Sequence, residues 1–180
     1  EELMVGLKQG VLNGSIIPVL FGSSTDSIGS SEVLDAIIDF LPHPREITPP
    51  VVKIQSTGNN TDLSCDPDGP LVALVFKTTA DPFVGKLSYF RVYSGIFMSD
   101  SNLWNVTKEE SERIGQAFLL RGKSQEGVKS LVAGDIGAVS KLNSVVTGDT
   151  LCLKEQQVVL DRIAFPEPAY SMAVYPRSKA

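Results

Sequence analysis

Cysteine and histidine are almost absent from this sequence. Its 180 residues include two cysteines and one histidine. Cys65 and Cys152 lie far apart, without the spacing of a disulfide framework or a zinc site, so we expect two free thiols. The single histidine, His43, lies between two prolines, and the sequence has no recognisable nucleophile motif, so a catalytic triad has no support. The sequence therefore predicts no metal site and no catalytic residue.

A basic excess and long apolar runs are also missing. Lys and Arg total 16 and Asp and Glu total 21, which gives a net charge of −5. Proteins that bind nucleic acids generally neutralise phosphates with clustered Lys and Arg, so only a local basic face is compatible with this charge. The chain has no apolar run that could span a bilayer and no signal peptide. We expect a cytoplasmic protein with no membrane partner.

Residues 71–95 are the stretch around which the chain is organised, and they predict two strands joined by a turn. Residues 71–78 are almost continuously apolar, which is typical of a strand that is buried on both faces. Residues 86–94 alternate, so that Phe90 faces one side and Arg91 the other. The Pro and Gly between the two runs favour a turn.

Two helices precede this pair of strands. The spacing of apolar residues predicts a helix over 1–12, a short buried strand over 16–21 and a second helix over 30–41, with Ser30 or Ser31 as its N-cap. The second helix has an apolar stripe that needs a partner surface, so we expect it to be exposed or buried in a dimer. The stripe comprises Val33, Leu34, Ile37, Ile38 and Leu41.

The remainder of the chain has the texture of a linker followed by β-structure. Residues 44–70 are rich in Pro, Thr, Asn and Gly, which predicts a linker with a domain boundary inside it, although 51–54 are able to form a short strand. From residue 71, short apolar runs separated by turn residues predict an antiparallel β-barrel of about six to seven strands. We expect its strands near 71–78, 86–93, 103–107, 112–120, 136–139, 150–153 and 157–163. We expect its core to include Val72, Leu74, Val75, Phe90, Val92, Phe118, Leu120, Ile136, Val139, Leu151 and Val159. Residues 170–175 predict a strand of a following unit.

Several motifs resemble, in order, the translational GTPases of the elongation factor G and elongation factor G-like family. FKTTADPFVGKLSYFRVYSG at 76–95 is similar to the start of that family's second domain. The other matching motifs are IIPVLFGSS at 16–24, VLDAIIDFLPHP at 33–44, AGDIGAV at 133–139, TGDTLC at 147–152 and FPEPAYSMAVYPRSKA at 165–180.

The resemblance implies a fragment with four parts. Residues 1–43 would be the C-terminal end of the GTP-binding domain, a partial α/β segment of helix, strand and helix. Residues 44–70 would be a linker, 71–164 the translation-factor β-barrel, and 165–180 the first strand of the next domain. The fold class would be mainly β.

The resemblance also implies a contact with guanine. In the family a Ser-Ala pair follows the strand that corresponds to 16–21, and its backbone amide reads the guanine oxygen. Ser23 matches that Ser, and Ser24 stands where Ala is usual; the alternative is an ordinary strand-to-helix loop. The phosphate-binding loop, the magnesium-linked aspartate and the guanine-reading Asn-Lys-x-Asp are missing. GTP and Mg²⁺ are therefore expected in the parent protein, a GTPase, and none in this non-catalytic fragment.

The basic residues of the barrel are candidate contacts with ribosomal RNA. The resemblance implies docking on small-subunit rRNA, with the loop 121–126 near it. The candidates are Arg91, Arg121, Lys123 and Lys129. The loop lacks a basic residue that is common near Gln125 in the family, which indicates a paralogue of the main factor. The alternative is that these are solvated surface charges. Arg91 has a further alternative, which is to stack within its aromatic-flanked strand or to pair with an acidic neighbour.

The resemblance implies that the barrel relays between the GTP-binding domain and the ribosome. The parent would couple GTP hydrolysis to ribosomal translocation or a related step. Two alternatives stay open at this point. One is a stand-alone β-barrel interaction module, and the other is a translational GTPase of the release-factor or ribosome-protection type.

Overall fold

The computed structural model describes residues 2–81, 85–122 and 124–177, and it is mainly β, as predicted. The helices are α1 (Glu2–Leu12) and α2 (Ser30–Phe40). The strands are β1 (Val51–Ile54), β2 (Asn60–Asp62), β3 (Val72–Asp81), β4 (Gly85–Ser94), β5 (Ile96–Met98), β6 (Asn102–Asn105), β7 (Glu110–Arg113), β8 (Ala117–Arg121), β9 (Ser124–Val128), β10 (Ser130–Val132), β11 (Ile136–Ser140), β12 (Thr150–Cys152) and β13 (Val158–Val159).

The main sheet has eight antiparallel strands in the order β7-β6-β12-β3-β4-β11-β8-β9. β5 pairs with β10, and β1 lies between β13 and β2 in a three-stranded sheet. The antiparallel, barrel-like architecture is confirmed, but the main sheet has more strands than predicted. The expected strand 112–120 is two strands, because the chain turns at Ile114-Gly115-Gln116 between β7 and β8. β9 was not predicted, because its sequence SQEGV has no apolar alternation.

Residues 72–75 of β3 are buried on both faces, but Lys77 and Ala80 further along the strand are exposed, so the predicted double burial of 71–78 holds only for its first part. Ala73 and Val75 pack in the main core with Phe90 on β4. Val72 and Leu74 point to the opposite face and pack in a second cluster. That second cluster is completed by residues of the segment 44–70 and of the region around β13, which are Val52, Leu63, Val158 and Leu160.

Four residues of the predicted core lie outside it. Phe118 and Leu120 are half-buried, and the core uses Ala117 and Leu119 on the other face of β8. Ile136 is 55% exposed. Val159 is half-buried, whereas its neighbour Val158 is buried. Each error is a shift of one residue, and in a strand such a shift exchanges the two faces.

Two of the predicted extended segments are not strands. Residues 16–21 and 170–175 run without ladder partners, and their large apolar side chains are exposed. A strand is stabilised by cross-strand pairing, and no described strand lies beside either segment. The predictions of a buried strand at 16–21 and of a strand at 170–175 are therefore wrong for this chain.

The start of α2 differs from the prediction, and its apolar stripe agrees with it. Gly29, with φ of 77°, occupies the N-cap position without a side-chain cap. Ser30 is the first helical residue, and the Ser31 hydroxyl donates to the Glu32 carboxylate instead of capping a backbone amide. None of the residues of α2 is buried, so the predicted exposure of the stripe is confirmed, and its burial in a dimer stays a prediction.

Residues 44–70, which we call the strap, lie against the outer face of the main sheet. The strap contributes β1 and β2. Its Asp66 carbonyl accepts the Gly95 amide at 2.8 Å, which ties it to the end of β4. Its other end meets α1, because Lys8 Nζ lies 3.0 Å from Glu46 Oε1. The strap is therefore packed against the barrel and is not a free linker.

We expect Phe90→Ala to lower the free energy of unfolding by about 3–5 kcal/mol, because it removes a buried ring and leaves a cavity. Phe90 is fully buried, and its ring stacks on that of Phe97 with 4.0 Å between the two ring centroids. Ile136→Ala on the neighbouring β11 is the matched control and should change the value by about 0.5 kcal/mol or less, because that side chain is exposed. Urea unfolding followed by circular dichroism measures both. Similar losses in the two variants would contradict this core.

We expect the two free thiols to differ in reactivity. Cys152 is buried, and burial raises the pKa of its thiol, whereas Cys65 is half-buried. A higher pKa leaves less thiolate at neutral pH, so a thiol reagent at about pH 7.5 should modify Cys65 at least roughly tenfold faster in the folded chain. Both should react rapidly in urea. Equal rates in the native chain would contradict the burial of Cys152.

Candidate functional site

Ser23 and Ser24 lie in a tight loop before α2. The Ser23 amide donates to the Ile28 carbonyl at 2.9 Å, and the Ile28 amide donates back to the Ser23 carbonyl at 3.0 Å. The Ser23 hydroxyl donates to Asp26 Oδ2 at 2.7 Å. Ser24 is exposed, and its amide donates to no other residue in the described part of the chain. Of the two candidates, Ser24 therefore has the backbone amide that remains able to bind a ligand.

This loop forms one wall of an open cavity of about 530 Å³, and the first turns of α2 form the other. Gly22 is required where the loop closes, because a Cβ there would lie 2.6 Å from the Ile28 carbonyl oxygen. Val33 and Leu34 supply apolar surface. No Lys or Arg lines this cavity among the described residues. The wall of the cavity is therefore made of small, hydroxyl-bearing and apolar residues.

Arg121 is the last residue of β8, at the tip of the hairpin formed by β8 and β9. It pairs with Ser124, and its side chain is 78% exposed. The guanidinium Nη2 lies 3.8 Å from Glu126 Oε2, which is also exposed, so the tip carries an acid beside its base. Lys123 lies outside the described residues.

Lys129 lies at the other end of β9. It is exposed, and its carbonyl accepts the Ser99 amide at 2.9 Å, which fixes its backbone against the loop after β5. A strand rises roughly 3.3 Å per residue, so the five residues of β9 separate Arg121 from Lys129 by about 17 Å. The structure therefore places these two candidates on one hairpin but does not bring them together.

Arg91 lies elsewhere, in the middle of β4. It faces the strap, opposite Leu74 on β3 and Ile136 on β11. Its guanidinium carbon lies 5.2 Å from the centroid of the Tyr93 ring, two residues along the same strand. The stacking that the sequence offers as an alternative role for Arg91 is thus present.

Two buried carboxylates hold loops in place and were not predicted from the sequence. Asp149 Oδ2 accepts the Asn105 side-chain amide at 2.8 Å and the Val146 backbone amide at 3.0 Å. Glu112 accepts the Asn143 amide at 2.7 Å and both donors of Ser144. Glu112 follows Glu110 and Ser111 in a polar run, which is typical of an exposed segment. Both carboxylates are satisfied by these donors, and their role is to fix the loop between β11 and β12.

The described residues contain no group of three or more His, Cys, Asp or Glu side chains that could hold a metal ion. Within the same residues, no helix combines the length and apolarity that crossing a membrane requires.

Comparison with known proteins identifies the barrel. Residues 70–154 match the family described as elongation factor G domain 2. A solved structure, the crystal structure of ttk003000868 from Thermus thermophilus, is similar with a TM-score of 0.67 and 26% sequence identity. The match covers 93% of this chain and 23% of that protein, so the chain spans about a quarter of its length. The comparisons therefore support an elongation factor G-like translational GTPase fragment, in which residues 70–154 match domain 2.

Proposed function

We propose that this chain acts within an elongation factor G-like GTPase as the unit that relays between the GTP-binding domain and the ribosome. The family match over residues 70–154 carries this proposal. The complete protein would couple GTP hydrolysis to translocation or a related step of translation in the cytoplasm. The barrel itself would bind and transmit, because its buried carboxylates are already satisfied by amide donors.

The helical segment fits the edge of a nucleotide-binding domain. Its exposed apolar stripe on α2 and the apolar residues of 16–21 would be covered by the other strands of such a domain. The backbone amide of Ser24 would donate a hydrogen bond to the guanine oxygen. A backbone donor does not depend on the side chain, so the Ser in place of the usual Ala would leave this contact intact. The phosphates of GTP and the Mg²⁺ would be held by parts of the parent protein that carry the motifs missing here.

The hairpin fits a contact with the backbone of small-subunit rRNA. The observation that supports this contact is the exposure of Arg121 at the tip of the β8–β9 hairpin. The two paired strands hold its backbone rigidly while its charged side chain reaches into solvent. Lys129 adds a second cation at the base of the hairpin, and Lys123 adds one by its position in the sequence. Glu126 partly offsets the charge of Arg121, so we expect a modest contact that reads backbone and shape.

The relay would run through the packed sheet. The hairpin is continuous with β11 and β4 through backbone ladders. β4 is tied to the strap, and the strap meets α1. A load on the hairpin tip would thus reach the strap through hydrogen-bonded strands, and it would reach α1 through the Lys8–Glu46 ion pair.

We expect the isolated chain to bind GTP and GDP with a dissociation constant weaker than about 1 mM, because one backbone hydrogen bond contributes only about 0.5–1.5 kcal/mol. Isothermal titration calorimetry with Mg²⁺ present measures this. In the complete protein, Ser24→Ala should leave nucleotide affinity within about twofold, whereas Ser24→Pro, which lacks the amide, should weaken it by about tenfold. Micromolar binding by the isolated chain would refute the assignment of phosphate binding to other parts of the parent.

We expect the double variant Arg121→Ala/Lys129→Ala, made in the complete protein, to bind ribosomes more weakly and with a flatter salt dependence. Each lost phosphate contact should reduce the log–log slope of affinity against salt by about one. The measurement is a ribosome co-sedimentation or fluorescence titration between about 50 and 200 mM salt.

Two controls keep this result specific. Lys53→Ala removes an exposed cation from the three-stranded sheet and should leave the slope unchanged. GTP hydrolysis without ribosomes should be the same in all variants, because neither hairpin residue lies at the Ser24 loop. If the slope of affinity against salt were unchanged in the double variant, Arg121 and Lys129 would be ordinary surface charges, and the proposed RNA contact would be refuted.

A further inference from the structure

Arg91 is a charged residue without a charged partner among the described residues. Its side chain is half-buried, and its Nε is buried without a hydrogen-bond partner there. The ion pairs of the described residues involve Lys8, Lys108 and Arg121, and none involves Arg91. A guanidinium withdrawn from water costs free energy unless a partner compensates for it. The stack on Tyr93 compensates only in part, because cation–π contacts contribute modestly.

The cavity beside Arg91 has a cationic lining. It lies between the strap and β4 and has a volume of about 210 Å³. Arg91 and Arg45 both line it, and no described Asp or Glu does. The remainder of the wall is largely apolar, from prolines of the strap and from Tyr93, which lowers the local dielectric constant and strengthens any charge–charge contact inside. Two arginines contribute to the wall of this small cavity and no described acid does, so an anion bound there would be favoured.

The shape of this cavity limits the size of the ligand. A water molecule occupies about 30 Å³ in the liquid, so 210 Å³ admits one small ion with part of its hydration shell. Pockets for drug-sized ligands generally begin at about 300 Å³. The strap covers one side, which favours a free ion over a long polymer.

We propose that the cavity between the strap and β4 is a binding site for a single phosphate-type oxyanion, with Arg91 as its principal ligand and Arg45 as a second cation. The guanidinium of Arg91 stacks on Tyr93, and a fixed planar donor set is suited to paired hydrogen bonds with oxyanion oxygens. Arg45 is exposed, so its contribution is smaller than that of Arg91. Binding would fasten the strap to the barrel, because the two arginines come from these two parts.

Thermal unfolding of the isolated chain in inorganic phosphate tests the site. At about ten times the half-saturating concentration, binding should raise the melting temperature by about 3–6 °C over sodium chloride of equal ionic strength. Phosphate also stabilises proteins generally by exclusion from their surface, and that effect grows steadily with concentration. The expected result is therefore a saturable component in the original chain that Arg91→Met removes, while the steady component remains.

Three further variants and one resonance make the outcome decisive. Arg91→Lys should retain weaker saturable binding, and Arg45→Ala should raise the half-saturating phosphate concentration by about two- to fivefold. Arg113→Ala, which changes an exposed arginine of β7 that does not line the cavity, should behave as the original chain does. In NMR spectra, the Arg91 Nε–H resonance should shift on addition of phosphate, a readout that does not depend on whether Arg91→Met folds. A stabilisation that never saturates and is equal in the original chain and Arg45→Ala, with no shift of that resonance, would overturn the site.

Discussion

The rest of the structure depends on residues 72–75 of β3, which have to be covered on both faces. These residues alternate between two apolar clusters, so neither face can be left in water without losing about 25 cal/mol for each Å² of apolar surface. One face is covered by the strands that curl into the barrel. The other needs a separate layer, and the strap with β13 supplies it. The strap is thus a structural part of the barrel domain, even though its composition is that of a linker.

This arrangement gives the basic residues of the barrel different environments. Arg91 lies on the face that the strap covers, so its charge is withdrawn from bulk solvent and confronts a small cavity. Arg121 lies on a hairpin at the edge of the sheet, which nothing described covers, and it remains in water beside Glu126. Arg121 is therefore open to solvent at the edge of the sheet, whereas Arg91 faces a small cavity beneath the strap. The two arginines differ in environment because they lie at different distances from β3, the strand whose residues 72–75 are buried on both faces.

The accuracy of the sequence-based predictions follows from the same physics. The continuous apolar run of β3 and the alternation around Phe90 predict both the strands and the faces of their residues. A long pattern fits the sequence in only one register, so the prediction cannot be displaced by one residue. Short runs such as 118–120 indicate the strand but not its face, since one residue of error inverts it. The prediction of a strand at 16–21 is wrong because a strand needs a hydrogen-bonded neighbour, and β-forming residues alone do not supply one. The burial of Glu112 cannot be predicted from the sequence, because the backbone amides that bind its carboxylate lie 31 and 32 residues away and every residue type has such an amide except proline.

The coupling between the strap and the barrel rests on packing more than on charge. Glu46 lies at the surface, where its pKa is lowered chiefly by the His43 backbone amide and then by Lys8, and such exposed pairs contribute little because water and salt screen them. The firmer contact is at Gly134, where a Cβ would lie 3.2 Å from Pro44 Cγ and where φ is +99°. A side chain there would have to push the strap away and would strain the turn. Pro44 of the strap therefore lies close against the turn at Gly134 of the barrel, whereas α1 meets the strap through an exposed ion pair.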